Sequence, residues 1–289
     1  MQKIGFIGIG KVGLAVCRNL IAAGYEVHGY RRSSLADFEA LGGIAEKSVR
    51  DVAEKSDVIL TCVNSDAAMT EVVSGANGLV SSARPGQIIA CFSSHTVPMK
   101  QGFADAMAKV GCVLLDGEVS GTPGMIEARK ATVYLAGPKG SVDQVEPIIK
   151  SFANENFYLG KFGDATKVKL INNLMVATQI VGTAQAMAIG MKMGIDSKLM
   201  IEAVGKGSGS STQFLIRAPW MAERRFTQPQ GSAPALLHYV IGARDAAIEA
   251  GTSTELVDKL IDIFNRAIPL IEERDVAAMF EFFERPSKN

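Results

Sequence analysis

Gly8-Ile9-Gly10-Lys11-Val12-Gly13 joins two kinds of sequence. Upstream, residues 3–9 form an apolar, β-prone run. Downstream, residues 12–23 carry apolar side chains at helical spacing and stop at Gly24. A second β-prone run, residues 26–30, follows. In the order strand, glycine turn, helix, strand, the three glycines have separate tasks. Gly8 permits the tight turn, Gly10 lets backbone approach a pyrophosphate, and Gly13 lets the helix pack closely on the strand. The helix start then presents free N–H groups and a partial positive charge to phosphate. Gly8, Ile9, Gly10, Lys11, Val12 and Gly13 are therefore expected to bind a dinucleotide.

Where the second strand ends, an NAD site usually carries Asp or Glu for the ribose 2′-hydroxyl. Here the chain reads Tyr30-Arg31-Arg32-Ser33-Ser34. Arg31, Arg32 and Ser33 suit a 2′-phosphate, because guanidinium makes paired, charge-assisted hydrogen bonds to phosphate. NADP is the expected cofactor, with NAD as the alternative. The alternation then continues. Residues 48–54, 67–73, 97–110 and 140–151 read as helices; residues 57–63, 87–92, 112–115, 131–136 and 157–159 read as strands. This pattern predicts a mostly parallel, doubly wound sheet of the Rossmann type, with ligands beyond the carboxyl ends of the strands. Val63 and Asn64 in one loop there, and Ser94 and His95 in the next, are expected beside the cofactor.

Gly160-Lys161-Phe162-Gly163 leads into the longest helical stretch, residues 165–191, with Asp164 placed to cap it. Val168, Ile171, Met175, Ile180 and Val181 mark an apolar stripe, and no charge falls between Lys169 and Lys192. Asn172, Asn173, Thr178, Gln179, Thr183 and Gln185 are too many polar groups for a lipid span, so a helix buried within protein is expected. Beyond Met191 only helical signals remain, at residues 198–204, 212–223, 233–250, 253–273 and 275–283. The fold class is α/β: an N-terminal Rossmann-type doubly wound parallel sheet, residues 1–163, followed by an all-α C-terminal domain, residues 164–289, joined through a long interdomain helix.

With 289 residues and 47% hydrophobic composition, the chain can bury one large core or two moderate ones. Thirty basic and 30 acidic residues balance, and no basic run suggests nucleic acid or a membrane surface. Cys17, Cys62, Cys91 and Cys112 form no CxxC pair, so they read as buried hydrophobes in a reducing, cytoplasmic setting, and no metal site is expected. The apolar start is interrupted by Lys11 and lacks a small-residue cleavage site, so it reads as a strand rather than a signal peptide.

Four separated segments resemble the β-hydroxyacid dehydrogenases related to 3-hydroxyisobutyrate dehydrogenase. They are the turn at residues 8–13, Ser94-His95-Thr96-Val97-Pro98, Asp116-Gly117-Glu118-Val119-Ser120-Gly121-Thr122, and residues 160–173 with Lys169, Asn172 and Asn173. The resemblance implies that Lys169 is the general acid/base in hydride transfer between nicotinamide and a small β-hydroxy acid or its semialdehyde. A partly buried lysine suits that role, because burial brings its pKa toward neutrality. The resemblance also implies that Asn173 orients the substrate and that Ser120, with the N–H groups of Gly121 and Thr122, holds a carboxylate. A homodimer or homotetramer is expected.

The departures from the family pattern are Ala165 and Thr122 in place of glycines, His95 for threonine, Glu118 for proline and Phe92 for aspartate. The family's second active-site lysine falls near His238-Tyr239, which makes His238 a candidate substrate contact. These polar changes lead to the expectation of a substrate bulkier or more polar than 3-hydroxyisobutyrate. Imine reduction is the alternative enzyme reading; Lys169 argues against it. A dinucleotide-binding module without catalysis is the non-enzyme reading.

Overall fold

The structure, a computed structural model, describes residues 2–286. It divides into two compact units, Met1–Lys169 and Leu170–Asn289.

The first unit is built on one eight-stranded sheet. Its strands are β1 (Lys3–Ile7), β2 (Glu26–Tyr30), β3 (Ile44–Ala45), β4 (Val58–Thr61), β5 (Ile88–Cys91), β6 (Val113–Ser120), β7 (Thr132–Ala136) and β8 (Glu155–Tyr158). Their order across the sheet is β3-β2-β1-β4-β5-β6-β7-β8. Every pair is parallel except β6 with β7. The expected doubly wound sheet is present, and its order reverses between β1 and β4. Buried strands such as β4 and β5 are apolar on both faces, because helices cover both sides of a parallel sheet. Register matters for the site: Ile7 pairs with both Tyr30 and Thr61. The loops after β1, β2 and β4 therefore emerge side by side at the switch point.

Several short elements escaped the sequence reading: strand β3 and the helices Ala36–Glu39, Leu79–Ser82 and Pro123–Glu127. Five residues or fewer cannot display a helical period. Strand β6 runs to Ser120, five residues past the expected end. The residues past that point include Asp116 and Glu118, which looked like loop residues. They remain in the strand because Asp116 to Ser120 pair with β7 and both carboxylates are buried with a cationic partner.

The long helix spans Asp164–Lys192, starting one residue earlier than expected. Asp164 sits in its first turn, where a negative charge suits the helix dipole. Capping comes from elsewhere: Asp116 on β6 accepts from the Thr166 backbone N–H (2.9 Å) and from the Thr166 hydroxyl (2.7 Å). The helix is long and apolar enough to cross a membrane, by length and composition alone. Its buried stripe keeps Ile180 and Val181 of the expected one and loses Ile171 and Met175. Ala177, Ile180, Val181, Ala184 and Met187 are buried, whereas Ile171 and Met175 stay 63% and 53% exposed.

The second unit contains the remainder of this helix and the helices Ser197–Lys206, Thr212–Glu223, Ala233–Glu249, Glu255–Ile271 and Met279–Glu284, with a 3-10 turn at Val276–Ala278. The Glu255–Ile271 helix directs Val257, Leu260, Phe264, Ala267 and Ile271 into the core at spacings of three and four. One buried carboxylate organises the end of the chain. Asp275, with no exposed surface, pairs with the Arg217 guanidinium and accepts from the backbone N–H groups of Gln230 (2.8 Å), Gly231 (3.1 Å) and Ala277 (2.9 Å). Asp275→Ala strands the buried Arg217 and three backbone donors, of which that of Ala277 is buried, at once. Removing one partner of a buried pair costs about 3–5 kcal/mol, so the urea midpoint of the helical unit, followed by circular dichroism, should fall accordingly. A loss under about 1 kcal/mol would show that water satisfies these groups without the carboxylate.

Candidate active site

The aligned loops after β1, β2 and β4 wall a cleft of about 570 Å³. Gly8, Ile9, Gly10, Arg31, Arg32, Ser33, Val63 and Asn64 line it, as expected from the sequence, together with Tyr30, Lys47, Cys62 and Asn77, which the sequence reading missed. Lys47 follows the two-residue strand β3, and nothing in the sequence marked that strand. The Cys62 thiol is pushed up to about 12 by burial, so it stays a neutral wall.

The cleft fits a dinucleotide. Gly8 has φ +95°, and a Cβ there would meet the Cys62 carbonyl oxygen at 2.4 Å. This glycine is thus required for the turn itself. At Gly13 a Cβ would meet the Gly8 carbonyl oxygen at 2.7 Å and the Phe6 ring at 2.8 Å, which is the close helix–strand packing expected of that position. Gly10 differs: nothing lies within 4 Å of its added Cβ, so it borders open space. It is also the N-cap of the Lys11–Ala22 helix, with no side chain capping the first N–H groups. An uncapped helix start facing open space is suited to a pyrophosphate.

The two arginines are not equivalent. The Arg31 guanidinium donates to the Ile9 carbonyl (2.7 Å) and the Ser34 carbonyl, and it pairs with Asp37. Asp37 is in turn held below the usual carboxylate range by that hydrogen bond. Arg31 is therefore a strut between the first and second loops. Arg32 is exposed and makes no such bond among the described residues.

Ser94 and His95 are not among the residues that line the cleft. Ser94 Oγ donates to Glu118 Oε2 (3.1 Å). His95 Nδ1 lies 2.6 Å from Asp66 Oδ1, with its ring edge-on to Phe103. Lys11 and Val12 begin the helix outside the cleft lining.

Lys169 is buried, and its Nζ donates to the Val119 carbonyl oxygen at 2.6 Å. Burial holds its amine below the ordinary lysine value; Glu118 opposes that effect and Lys100 adds to it. Val119 precedes Ser120, the last residue of β6. Gly121 packs against Ala131, where a Cβ would approach to 2.9 Å. The Thr122 hydroxyl accepts from the Met125 N–H (3.3 Å) and so caps the Pro123–Glu127 helix. Its extra hydroxyl, expected to alter the substrate loop, is used within the protein. Asn173 is buried one turn beyond Lys169 on the same helix, and its side-chain oxygen accepts from Asn172 Nδ2 (3.2 Å). His238 is exposed on the Ala233–Glu249 helix, edge-on to Tyr239.

A further cluster went unread. Lys100 on the Val97–Lys109 helix has no exposed surface and contacts Asp116, Glu118 and the Gly117 carbonyl. Lys100, Phe103 and Met107 are the buried residues of that helix. A lysine on the apolar stripe was the available signal.

Residues 3–160 match the model of the NAD-binding domain of 6-phosphogluconate dehydrogenase. Residues 163–283 match the model of the NAD-binding domain of NADP-dependent 3-hydroxyisobutyrate dehydrogenase. L-threonate dehydrogenase of Cupriavidus necator is 31% identical over 233 residues, which cover 78% of this chain and 77% of that protein. The mitochondrial 3-hydroxyisobutyrate dehydrogenase of Rattus norvegicus is 30% identical over 208 residues, 71% of this chain and only 62% of that protein's length. The crystal structure of 3-hydroxyisobutyrate dehydrogenase from Salmonella typhimurium shares the fold, with a TM-score of 0.88 at 22% identity over 98% of this chain and 100% of that one. By these matches and by its nucleotide cleft, the chain belongs to the NAD(P)-dependent β-hydroxyacid dehydrogenase family.

Proposed function

We propose that the protein is an NADP(H)-dependent oxidoreductase that interconverts a small β-hydroxy acid and its semialdehyde or keto form, with Lys169 as general acid/base. The observation that carries this reading is the environment of Lys169. It is a buried amine whose charge is disfavoured by burial, held on a backbone carbonyl next to Ser120. Such an amine can give up and regain a proton near working pH.

A nicotinamide, when bound, would supply or accept the hydride. In the oxidative direction the neutral Lys169 amine takes the proton from the hydroxyl oxygen as the hydride leaves the carbon that bears it. In reduction the ammonium returns that proton to the carbonyl oxygen. Ser120 and the backbone N–H groups of Gly121 and Thr122 anchor the carboxylate, and Asn173 orients the hydroxyl. His238 is retained as a candidate contact for the far end of the substrate. The Thr122 hydroxyl caps a helix and the His95 ring pairs with Asp66, and both contacts weigh against an unusually polar substrate. The substrate class is accordingly the small β-hydroxy carboxylate, with 3-hydroxyisobutyrate and L-threonate as the first compounds to assay. Exposed Ile171, Met175, Ile189, Met193 and Leu199 give the helical unit an apolar surface that a homodimer or homotetramer would cover. The four free thiols suit a reducing compartment such as the cytoplasm.

Lys169→Ala should keep cofactor affinity and lose about 10²- to 10⁴-fold in turnover. Wild-type turnover in the variant, under conditions where chemistry limits the rate, would remove Lys169 from the reaction.

Cofactor choice falls to Arg32, with Lys47 as a second cation at the cleft. A charged hydrogen bond is worth about 1.5–3 kcal/mol, so Arg32→Ala should weaken NADPH by roughly 10- to 150-fold and leave NADH nearly unchanged. Arg31→Ala, which removes a loop strut, should weaken both together. Fluorescence titration separates these patterns; a parallel loss of both cofactors in Arg32→Ala would mean that the cleft does not read the 2′-phosphate.

Across a substrate series with NADP+, at least one of the two named acids should give a kcat/KM above that of short α-hydroxy acids. A profile led by cyclic imines with NADPH would instead favour imine reduction.

A further inference from the structure

Around Lys169 lies a group of charges that the family reaction does not itself require. Lys100 Nζ has three protons and three acceptors: Asp116 Oδ1 at 2.9 Å, the Gly117 carbonyl at 3.1 Å and Glu118 Oε1 at 2.8 Å. Glu118, 1% exposed, uses its other oxygen to accept from Ser94 Oγ. Both Glu118 oxygens thus act as acceptors, the pattern of an ionised carboxylate. Asp116 is engaged by Lys100 and by Thr166, three residues before Lys169 on the long helix. Lys169 in turn donates to the carbonyl of Val119, the neighbour of Glu118. Strand β6, the Val97–Lys109 helix, the Ser94 loop and the start of the long helix therefore meet in one largely buried cluster.

The signs of these charges matter. The charges that act on the Lys169 amine are Glu118 from β6 and Lys100 from the Val97–Lys109 helix; Asp116 enters through its pairing with Lys100, and the Cys62 thiol after β4 stays neutral. With Lys169 protonated, two cations face two carboxylates and the cluster is neutral. With Lys169 neutral, one negative charge remains. Without Glu118, the protonated state would carry an uncompensated positive charge in a site with little water to screen it. A proline at this position, usual in the family, could supply neither the charge nor the bonds to Lys100 and Ser94.

We propose that Glu118 is a positioning residue for Lys169: fixed by Lys100 and Ser94, its carboxylate balances the charge that Lys169 gains and loses in each turnover, and it holds the strand whose Val119 carbonyl receives the Lys169 proton donor. This rests on the reading of Lys169 as proton carrier. Burial lifts the Glu118 carboxyl above the ordinary glutamate value, while Lys100 and Lys169 work against that. Burial also opposes the Lys100 charge, but the carboxylates of Glu118 and Asp116 override it and keep the ammonium above the ordinary lysine value. The pairing therefore does more than satisfy Lys100. It lets a buried lysine stay usable as an acid instead of losing its proton permanently.

The test reads the Lys169 titration directly, in full-length protein with saturating NADP+. Lysine labelled with carbon-13 at Cε gives a resonance for each side chain, and the Lys169 peak is the one absent from Lys169→Ala. Glu118→Gln removes the anion, so the Lys169 midpoint should fall by about one pH unit or more. Lys100→Met removes the cation and should raise it. Lys100→Met with Glu118→Gln removes one charge of each sign and should return the midpoint toward wild type. If Glu118→Gln fails to fold, the double variant against Lys100→Met alone makes the same comparison.

An unchanged midpoint in Glu118→Gln, or a shift in the same direction in both single variants, would overturn the proposal. Failure of all three variants to fold would also overturn it, because the cluster would then be a strut. None of these outcomes bears on the turnover of Lys169→Ala, which decides separately whether Lys169 carries the proton.

Discussion

An ammonium group with no access to water, that of Lys100, is the constraint on which the first unit depends. Burying a lone ammonium costs several kcal/mol after relaxation, and that cost is offset only when every proton finds an acceptor. Here the acceptors are two carboxylates and a carbonyl of a single strand, β6. Asp116 then has capacity left to cap the long helix through Thr166. The pairing thus ties the first turn of that helix to β6, three residues before Lys169. Of the two carboxylates that make Lys100 tolerable, Glu118 also favours the charge of a second buried lysine, Lys169.

The nucleotide end follows from register instead. Because β1 pairs in step with both β2 and β4, three loops emerge together and wall one cleft. Backbone geometry makes most of that cleft: a glycine that must adopt positive φ at Gly8, and open space above the start of a helix at Gly10. Side chains then choose among nucleotides. Arg31 is occupied in tying the loops together, so the exposed Arg32 is the one available for an incoming phosphate.

The alternating architecture, the glycine turn and Lys169 were legible in the sequence because each is a local signal: a period, a fixed spacing, or a lone charge on a helix without others. Contacts made at a distance were not. The Thr122 hydroxyl looked like an addition to the substrate loop, yet it caps a helix of five residues that is too short to show periodicity. The Arg31-Arg32 pair read as two equal cations; Asp37, six residues on, makes them different. Glu118 was visible only as a departure from a family pattern. Its meaning depends on Lys100, which reaches it through the packing of a helix on β6. Ile171 and Met175 fitted a buried stripe by spacing, but a helix this long has room for more than one apolar face, and the buried one includes Ile180 and Val181 without them.

The central claim is that a buried amine, rather than water or a surface group, exchanges the proton that accompanies hydride transfer. The most direct measurement is the pH dependence of the first turnover of NADP+ reduction in the unmodified protein, followed by stopped-flow absorbance with whichever β-hydroxy acid it oxidises. Oxidation needs Lys169 neutral. Because burial lowers its proton affinity, the rate should rise with pH through one ionisation centred below the ordinary lysine value of about 10.4 and then level off. A rate independent of pH, or one that rises only at the ordinary lysine value, would contradict it.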